Sequence, residues 1–442
     1  MLESFLVFEQ LSIKDYLMKK SYLAIAAAVM CASQAQAAGY QLNEFSTTGL
    51  GRAFAGVGVM GDDYSAMAFN PAGMTLVKRS GFQTGLAATQ IYSKAESKYG
   101  TDKMNYFVPL PSVLGQYNVN NKWFLGAGVY VPYGLSTKYK HDSHVATKSE
   151  GGVRKSELEV IDFNLSAAYK FDNGLSLGAS AILRWIEGQL TSNINNASVP
   201  GQPPYVVMNG YNDYRVNGWT HTWQLGAMYE FDEDTRIGLA YRFKSTQNPR
   251  GKQYVYYDVS AGGVPVPGQQ DQFMRNHTMS NPELPASWIL SGYHKFGEKW
   301  GTSATIKYVQ WHRFYVFPAR AYTAQGEKNL DVPYKWKDSW TFSLGEDYYL
   351  DENWTLRFGT AWDQTPTPSN TYRTNRIPDT DRIWASVGAS YATGNHQFDF
   401  GYNHLFMMHG RTRTGKADDE GDLNVKYKSH SNMLAVQYQY KF

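Results

Sequence analysis

The sequence predicts an all-β fold, a transmembrane antiparallel β-barrel of about 14 strands with an N-terminal plug of short helices inside the lumen. Three observations predict it. Residue character alternates with period two in segment after segment, and short connections alternate with long ones. An export signal also precedes a chain in which no stretch approaches the ~20 apolar residues that a spanning helix needs.

Composition agrees. Of 442 residues, 18% are charged and 15% aromatic, with 33 Tyr and 40 Gly. A mean hydropathy of −0.47 is too polar for helical spans. Few charges with many Tyr and Gly suit strands that face lipid on one side and water on the other. The net charge of +3, without any basic run, gives no footing for nucleic acid.

Met18-Lys19-Lys20 forms a basic start, Tyr22 to Cys31 an apolar run, and Ala35-Gln36-Ala37 a small-residue cleavage site. Residues 1–37 therefore read as an upstream extension plus signal peptide, with Met18 as the true start and cleavage before Ala38. A buried N-terminal helix is the competing reading. Cys31, the single cysteine, follows Ala28-Val29-Met30, which is not a lipoprotein site. The mature chain is thus expected to carry no disulfide or thiol chemistry.

Residues 38–79 do not alternate. They are small and Gly-rich, and their Leu, Phe and Met content favours a plug over a disordered tail. Gly56-Val57-Gly58-Val59-Met60-Gly61 spells a dinucleotide-binding loop but belongs to no βαβ unit. Close packing of the plug against the barrel wall explains these glycines better.

From Ser80 to Phe442 the chain reads as barrel. Leu165, Ala167, Tyr169 and Phe171 oppose Asn164, Ser166, Ala168 and Lys170. The segments 223–231 and 236–243 divide in the same way. In the last strand Leu434, Val436, Tyr438, Tyr440 and Phe442 oppose Ala435, Gln437, Gln439 and Lys441. Side chains alternate faces along a strand, so each segment has one lipid-facing and one lumen-facing surface. A final strand ending in Phe442 resembles the signal read by the barrel-assembly machinery. Short turns are expected at Asn120-Asn121, Asp172-Asn173-Gly174, Asp232-Glu233-Asp234, Gly297-Glu298, Asp351-Glu352 and Gly394. Long connections are expected near 93–104, 139–156, 193–213, 258–284, 323–334, 364–380 and 412–425. This rhythm places both chain ends in the periplasm.

Val131-Pro132-Tyr133-Gly134 interrupts the third strand. Proline cannot donate to the ladder and glycine bends it, so a gap between neighbouring strands is expected there. Arg184 falls in the fifth strand, and Lys307, Arg313 and Arg320 fall in or just after the ninth. Bases facing the lumen can pair with a carboxylate, or can simply form a charge network that retains water. No Gly-x-Ser-x-Gly elbow and no zinc-spaced His pair is present, so an enzyme is not expected. Asp418-Asp419-Glu420-Gly421-Asp422 reads as a solvated loop tip rather than a calcium loop.

Several blocks together resemble the FadL-type family of outer-membrane transporters for long-chain fatty acids and other hydrophobic compounds. They are 38–45 with Gly49-Leu50-Gly51-Arg52-Ala53, then Asn70-Pro71-Ala72, then Leu284-Pro285 with Trp288 and 291–293. Asp351 to Trp354 and Ile377-Pro378-Asp379-Thr380-Asp381-Arg382 complete the set. The resemblance runs from Ala38 to Phe442. It implies a hatch over 38–79, a barrel over 80–442, ligand-gated diffusion and lateral exit at a kink in the third strand. Asn70, Pro71 and Ala72 match the hatch motif, and Gly134 matches the kink. Among the pocket bases, Arg184 is offset by about one position, a step that flips a strand side chain to the other face. Pro318 stands where the family has a lysine, with Arg320 as the substitute. The implied partners are long-chain fatty acids or other hydrophobic small molecules, outer-membrane lipid and lipopolysaccharide, acting on a monomer without cofactor. Uptake of monoaromatic hydrocarbons by the same route is one alternative, and a structural adhesin or receptor barrel is another.

Overall fold

The computed structural model describes residues 39–442 apart from 149–151, 200, 315, 318, 324–325, 330–331, 409 and 413–423. The export signal, Met18, Ala38, Pro318 and the acidic run at 418–422 lie outside the described residues.

Fourteen antiparallel strands close into one barrel. The first seven are β1 (Gly81–Ser97), β2 (Gly100–Asn118), β3 (Trp123–Lys138), β4 (Val153–Lys170), β5 (Leu175–Ser198), β6 (Val206–Glu230) and β7 (Thr235–Arg242). The other seven are β8 (Ser287–Phe296), β9 (Trp300–Val309), β10 (Ser339–Tyr349), β11 (Trp354–Asp363), β12 (Arg382–Thr393), β13 (His396–Met407) and β14 (Val425–Lys441). Closure is made by β1 on β14, in register from Gly81↔Lys441 to Glu96↔Lys426. A closed ladder leaves no edge to template aggregation and satisfies its backbone polar groups inside lipid.

The period-two reading holds residue by residue. Leu165 is 66% exposed while Asn164 and Ser166 are buried, and Leu434 is 59% exposed while Ala435, Gln437 and Gln439 are buried. The exposed apolar face is the lipid face. It is bordered by two aromatic belts. One contains Trp123 on Tyr169 and Trp300 on Tyr348, with ring centroids 4.8 and 4.7 Å apart. The other contains Trp185 on Trp219 at 5.0 Å and Tyr308 on Trp340 at 4.6 Å. Trp300 and Tyr308 lie on one tilted strand, so the belts stand roughly 20 Å apart, near the ~25 Å apolar band of such barrels.

The short turns fall where the sequence places them, but four of the expected long connections, 323–334 among them, are largely strand. β1 and β2 continue to Ser97↔Gly100, and β5 and β6 pair up to Ser198↔Val207. Beyond the point where β7 leaves, β6 pairs with Arg250–Ala261. That segment pairs with Gln272–Ser280, which in turn pairs with Ala319–Thr323. Above the lipid neither face of a strand meets hydrocarbon, so the alternation disappears while the backbone ladder continues.

Residues 39–79 lie inside the barrel. They contain helices α1 (Thr47–Gly51) and α2 (Ala66–Phe69) and a 3-10 turn over Pro71–Leu76. Ser46 caps α1 by accepting from the Gly49 amide at 3.0 Å, and the Ser46 and Thr48 hydroxyls both donate to Asp63 Oδ2. Helix α1 lies against β11–β14, and the 3-10 turn lies against β3–β7 on the opposite wall. Wall glycines make room for it. A Cβ at Gly226 would stand 2.0 Å from Asn70 Oδ1, and one at Gly178 would stand 2.4 Å from the Pro71 carbonyl carbon. The glycines of the dinucleotide-like spelling serve turns more than wall contact. Gly56, Gly58 and Gly61 all have positive φ, at 69°, 79° and 74°, a region glycine enters without steric cost.

Candidate functional site

The kink in β3 is built by one extra residue. Tyr130 pairs with Asp162 and Tyr133 with Val160, so the β3 side advances one residue further than β4. This is a β-bulge, and Pro132 within it has no amide to donate. On the other side, the β2–β3 ladder ends at Val113↔Val129. Above that level β2 continues on β1 and β3 continues on β4, so the two strands part. The Tyr106 hydroxyl, donating to the Ser136 carbonyl at 2.8 Å, crosses the gap.

The inner segment occupies the inside of this gap. The Leu42 amide donates to the Pro132 carbonyl at 2.8 Å and the Gly134 amide to the Tyr40 carbonyl at 2.9 Å. With the bridge Gln41↔Tyr133, residues 40–42 form a short strand on the free edge of β3. Leu42 fills the space that glycine leaves, since a Cβ at Gly134 would stand 2.9 Å from Leu42 Cδ1.

Tyr40 holds this strand in place. Its ring lies 4.8 Å from Trp311, 5.5 Å from Phe314 and 5.7 Å from Trp336. Gly39 has φ +67°, and a Cβ there would meet Trp311 at 2.7 Å. The Gly39 amide donates to Asp379 Oδ2 at 3.1 Å, and Arg382 donates to Asp379 Oδ1 at 2.7 Å. The Ile377-Pro378-Asp379 block thus fastens the start of the inner segment.

Two cavities flank Tyr40–Leu42. The upper, about 50 Å³ as it stands, is lined by Tyr40, Leu135, Leu158, Ile186, Leu190, Leu284, Phe314, Tyr334 and Ile377, with Glu157 and Arg376 among its few charged residues. The lower, about 30 Å³, is lined by Asn43, Phe54, Phe69, Ile289, Trp384, Lys307 and Asp363. Each holds one or two waters at most, so a larger guest has to displace side chains.

The sequence-predicted residues separate into groups. Gly134 stands at the kink. Arg184 faces the lumen despite its offset, but Nε and Nη2 donate to the two oxygens of Asp162 at 2.6 and 2.8 Å. Its guanidinium also lies 5.1 Å from the Tyr133 ring centroid. Arg242 stands 3.6 Å from the same carboxylate. Lys307 lines the lower cavity and donates to Asn43 Oδ1 at 3.1 Å. Arg320 is exposed and paired with Glu327 on the extended sheet, away from both cavities. Arg313 lies 3.8 Å from Glu283. Asn70, Pro71 and Ala72 sit lower, where Asn70 accepts from the Ala72 amide and donates to the Ala227 carbonyl, both at 3.1 Å.

Sequence reasoning missed the Tyr40–Leu42 pairing and Arg376. For Arg376 the available signal was its place directly before the most specific block.

Glu44, beside Asn43 of the lower cavity, is a buried titratable group of the inner segment. Burial pushes its carboxyl up to about 7, although the Asn43 amide, Lys307 and Arg382 oppose the rise. A carboxyl that binds its proton more tightly when folded contributes stability below its unfolded pKa of about 4.5, and loses it as pH rises toward the folded value. The inner segment is therefore expected to loosen between pH 4.5 and 7, and Glu44→Gln is expected to flatten that response. Hydrogen exchange at residues 39–79, corrected for intrinsic pH dependence, measures it; equal slopes in both proteins reject the role.

Comparison with known proteins places this architecture. A family model for outer membrane protein transport proteins (OMPP1/FadL/TodX) matches residues 28–442. The chain belongs to that family. It is 29% identical to the long-chain fatty acid transport protein of Escherichia coli K12, over 96% of this chain and 99% of that protein. It is 33% identical to a 47 kDa outer membrane protein of Pasteurella multocida, over 96% and 98%. Among solved structures, a Pseudomonas aeruginosa FadL homologue superposes with TM-score 0.78 at 22% identity, covering 92% of this chain and 100% of that one. The Pseudomonas putida toluene transporter TodX gives 0.68 at 21%, covering 86% and 94%. This FadL-type chain is an outer-membrane transporter of hydrophobic compounds and not an enzyme.

Proposed function

We propose that this protein takes up long-chain fatty acids by ligand-gated passive diffusion, with residues 39–79 as the hatch and lateral exit at the kink in β3. The observation that carries the reading is the continuity of three parts. The apolar upper pocket touches Tyr40, Tyr40 holds the strand that bears Leu42, and Leu42 fills the gap at Gly134. A guest that displaces Tyr40 draws Leu42 from the gap and opens a path to the lipid face. Asn70, Pro71 and Ala72 hold the far end of the hatch on β5–β7, so residues 40–42 move against a fixed base.

Magnitudes favour a long chain as the guest. Exposing an aromatic side chain such as Tyr40 costs about 2–3 kcal/mol, and each buried methylene of an acyl chain returns about 0.8 kcal/mol. A few methylenes offset the loss, whereas a toluene-sized ring brings in little more apolar surface than it displaces. The similarity to TodX, and an Arg184 already paired with Asp162, keep uptake of monoaromatic hydrocarbons as the second reading. Lipopolysaccharide around the barrel and assembly as a monomer through the strand ending in Phe442 belong to the same picture.

The test is uptake of labelled oleate by cells that lack their own transporter. Competition by unlabelled long-chain acids but not by toluene is expected. Toluene transport without oleate transport would establish the second reading instead.

A further inference from the structure

We propose that Arg376 is the head-group anchor of the upper pocket, its guanidinium binding the carboxylate of a long-chain acid whose tail lies among Leu135, Leu158, Ile186 and Leu284. This assignment rests on the uptake reading above and names the residue that selects an ionised ligand over a neutral one.

The surroundings of Arg376 carry the argument. Among the described residues its hydrogen-bond partners are neutral: Nη1 reaches the Lys155 carbonyl at 3.4 Å and Ser156 Oγ at 3.3 Å, and Nη2 reaches Ser192 Oγ at 2.6 Å. A guanidinium carries five N–H groups, so donors remain for a ligand. Most other buried arginines among the described residues are placed differently. Arg52, Arg184, Arg357 and Arg382 each lie within 3.4 Å of a carboxylate, and Arg242 stands 3.6 Å from the Asp162 carboxylate. Arg236 is taken up by the Val59 and Met60 carbonyls and lies over the Tyr293 ring. Arg373 also meets only neutral acceptors, the Asp379 and Arg411 carbonyls and Asn370 Oδ1, but does not line the upper pocket.

The acid that shares the pocket does not neutralise Arg376. Glu157 is held by Lys138 and Lys155. Burial pulls the Arg376 guanidinium below its ordinary value, with only Tyr334 acting against the shift, the opposite of what an ion pair does. A buried cation without a counter-charge is costly. A planar carboxylate arriving on an apolar tail removes that cost, and it matches the guanidinium fork as a hydroxyl or a toluene ring does not. Arg376 also retains accessible surface although protein surrounds it, as a side chain facing a cavity does.

The test compares oleate with oleyl alcohol, the same tail without the charge, in equilibrium binding to the full-length protein in lipid nanodiscs. Arg376→Gln is expected to weaken oleate roughly ten- to hundred-fold while leaving the alcohol nearly unchanged, with Arg376→Lys in between. The alcohol reports that the pocket is still formed. A purely structural Arg376 would cost both ligands alike, and that result, or an unchanged preference for oleate, overturns the assignment while leaving the uptake reading in place. Failure of the unmodified protein to bind either ligand overturns both.

Discussion

Gly134→Leu is expected to reduce oleate uptake to background while the barrel still assembles. The nearest atom to the new side chain is the terminal methyl of Leu42, 2.9 Å from where its Cβ would stand. A methyl at the end of a flexible side chain moves aside, and Gly134 has no positive φ to strain. The difference from the native state is permanence. Leu42 belongs to the inner segment and can leave the gap with it, whereas a leucine on β3 stays. The converse change, Leu42→Gly, removes the filler and leaves the wall as it is, so faster and less gated entry of small hydrophobic solutes is expected. Initial uptake rates, set against the amount of folded barrel at the cell surface, read both variants. Normal transport by well-folded Gly134→Leu rejects exit at the kink.

How far this could be seen in the sequence depends on which physical constraint each residue answers to. Where lipid lies on one side and the lumen on the other, every second residue is constrained, and the strands from Leu165 to Phe442 are readable from that alone. Lys307 could be placed inward because Ile306 faces lipid. Above the bilayer the constraint ends. Asn209 and Gly210, which suggest a loop, pair in register with Asp258 and Tyr257. The kink was legible because proline and glycine act locally. The strand that covers it was not, because the pairing of Tyr40–Leu42 with Pro132 and Gly134 depends on closing the barrel around it. Arg184 shows the same limit from the other side. The one-position offset puts its inward direction in doubt, and its commitment to Asp162 depends on the register of β4 on β5. Arg376 is hardest to read, since its neighbours Ser156 and Ser192 come from two strands far away in the chain.

Arg52→Met is expected to release the inner segment and turn a closed barrel into an ion-conducting one. Arg52 stands 2.7 Å from Asp62 and 3.1 Å from Asp347 on β10. Arg357 on β11 stands 3.1 and 3.3 Å from the same two carboxylates. Two positive and two negative charges therefore balance where the segment meets the wall. Burial pushes the Asp62 carboxyl up, but Arg52 and Arg357 outweigh it and hold it well below the usual carboxylate range. Removing Arg52 leaves two carboxylates facing one guanidinium, and breaking a buried pair in this way costs about 3–5 kcal/mol. The barrel ladder is not part of this cluster, so the loss falls on the contact between segment and wall. The expected signature is a steady current in planar bilayers with faster proteolysis within residues 39–79, while the strands remain protected. Adding Asp347→Asn to Arg52→Met restores the charge balance and is expected to recover part of the closure, which separates charge from packing. A single variant as closed as the unmodified barrel would show that the glycine sockets alone hold the segment. Arg52 is seated between Gly345 and Gly359, where a Cβ on Gly359 would stand 2.1 Å from the Arg52 carbonyl carbon. If packing were sufficient, Gly359→Ala would open the barrel and Arg52→Met would not; if the charges are required, both do.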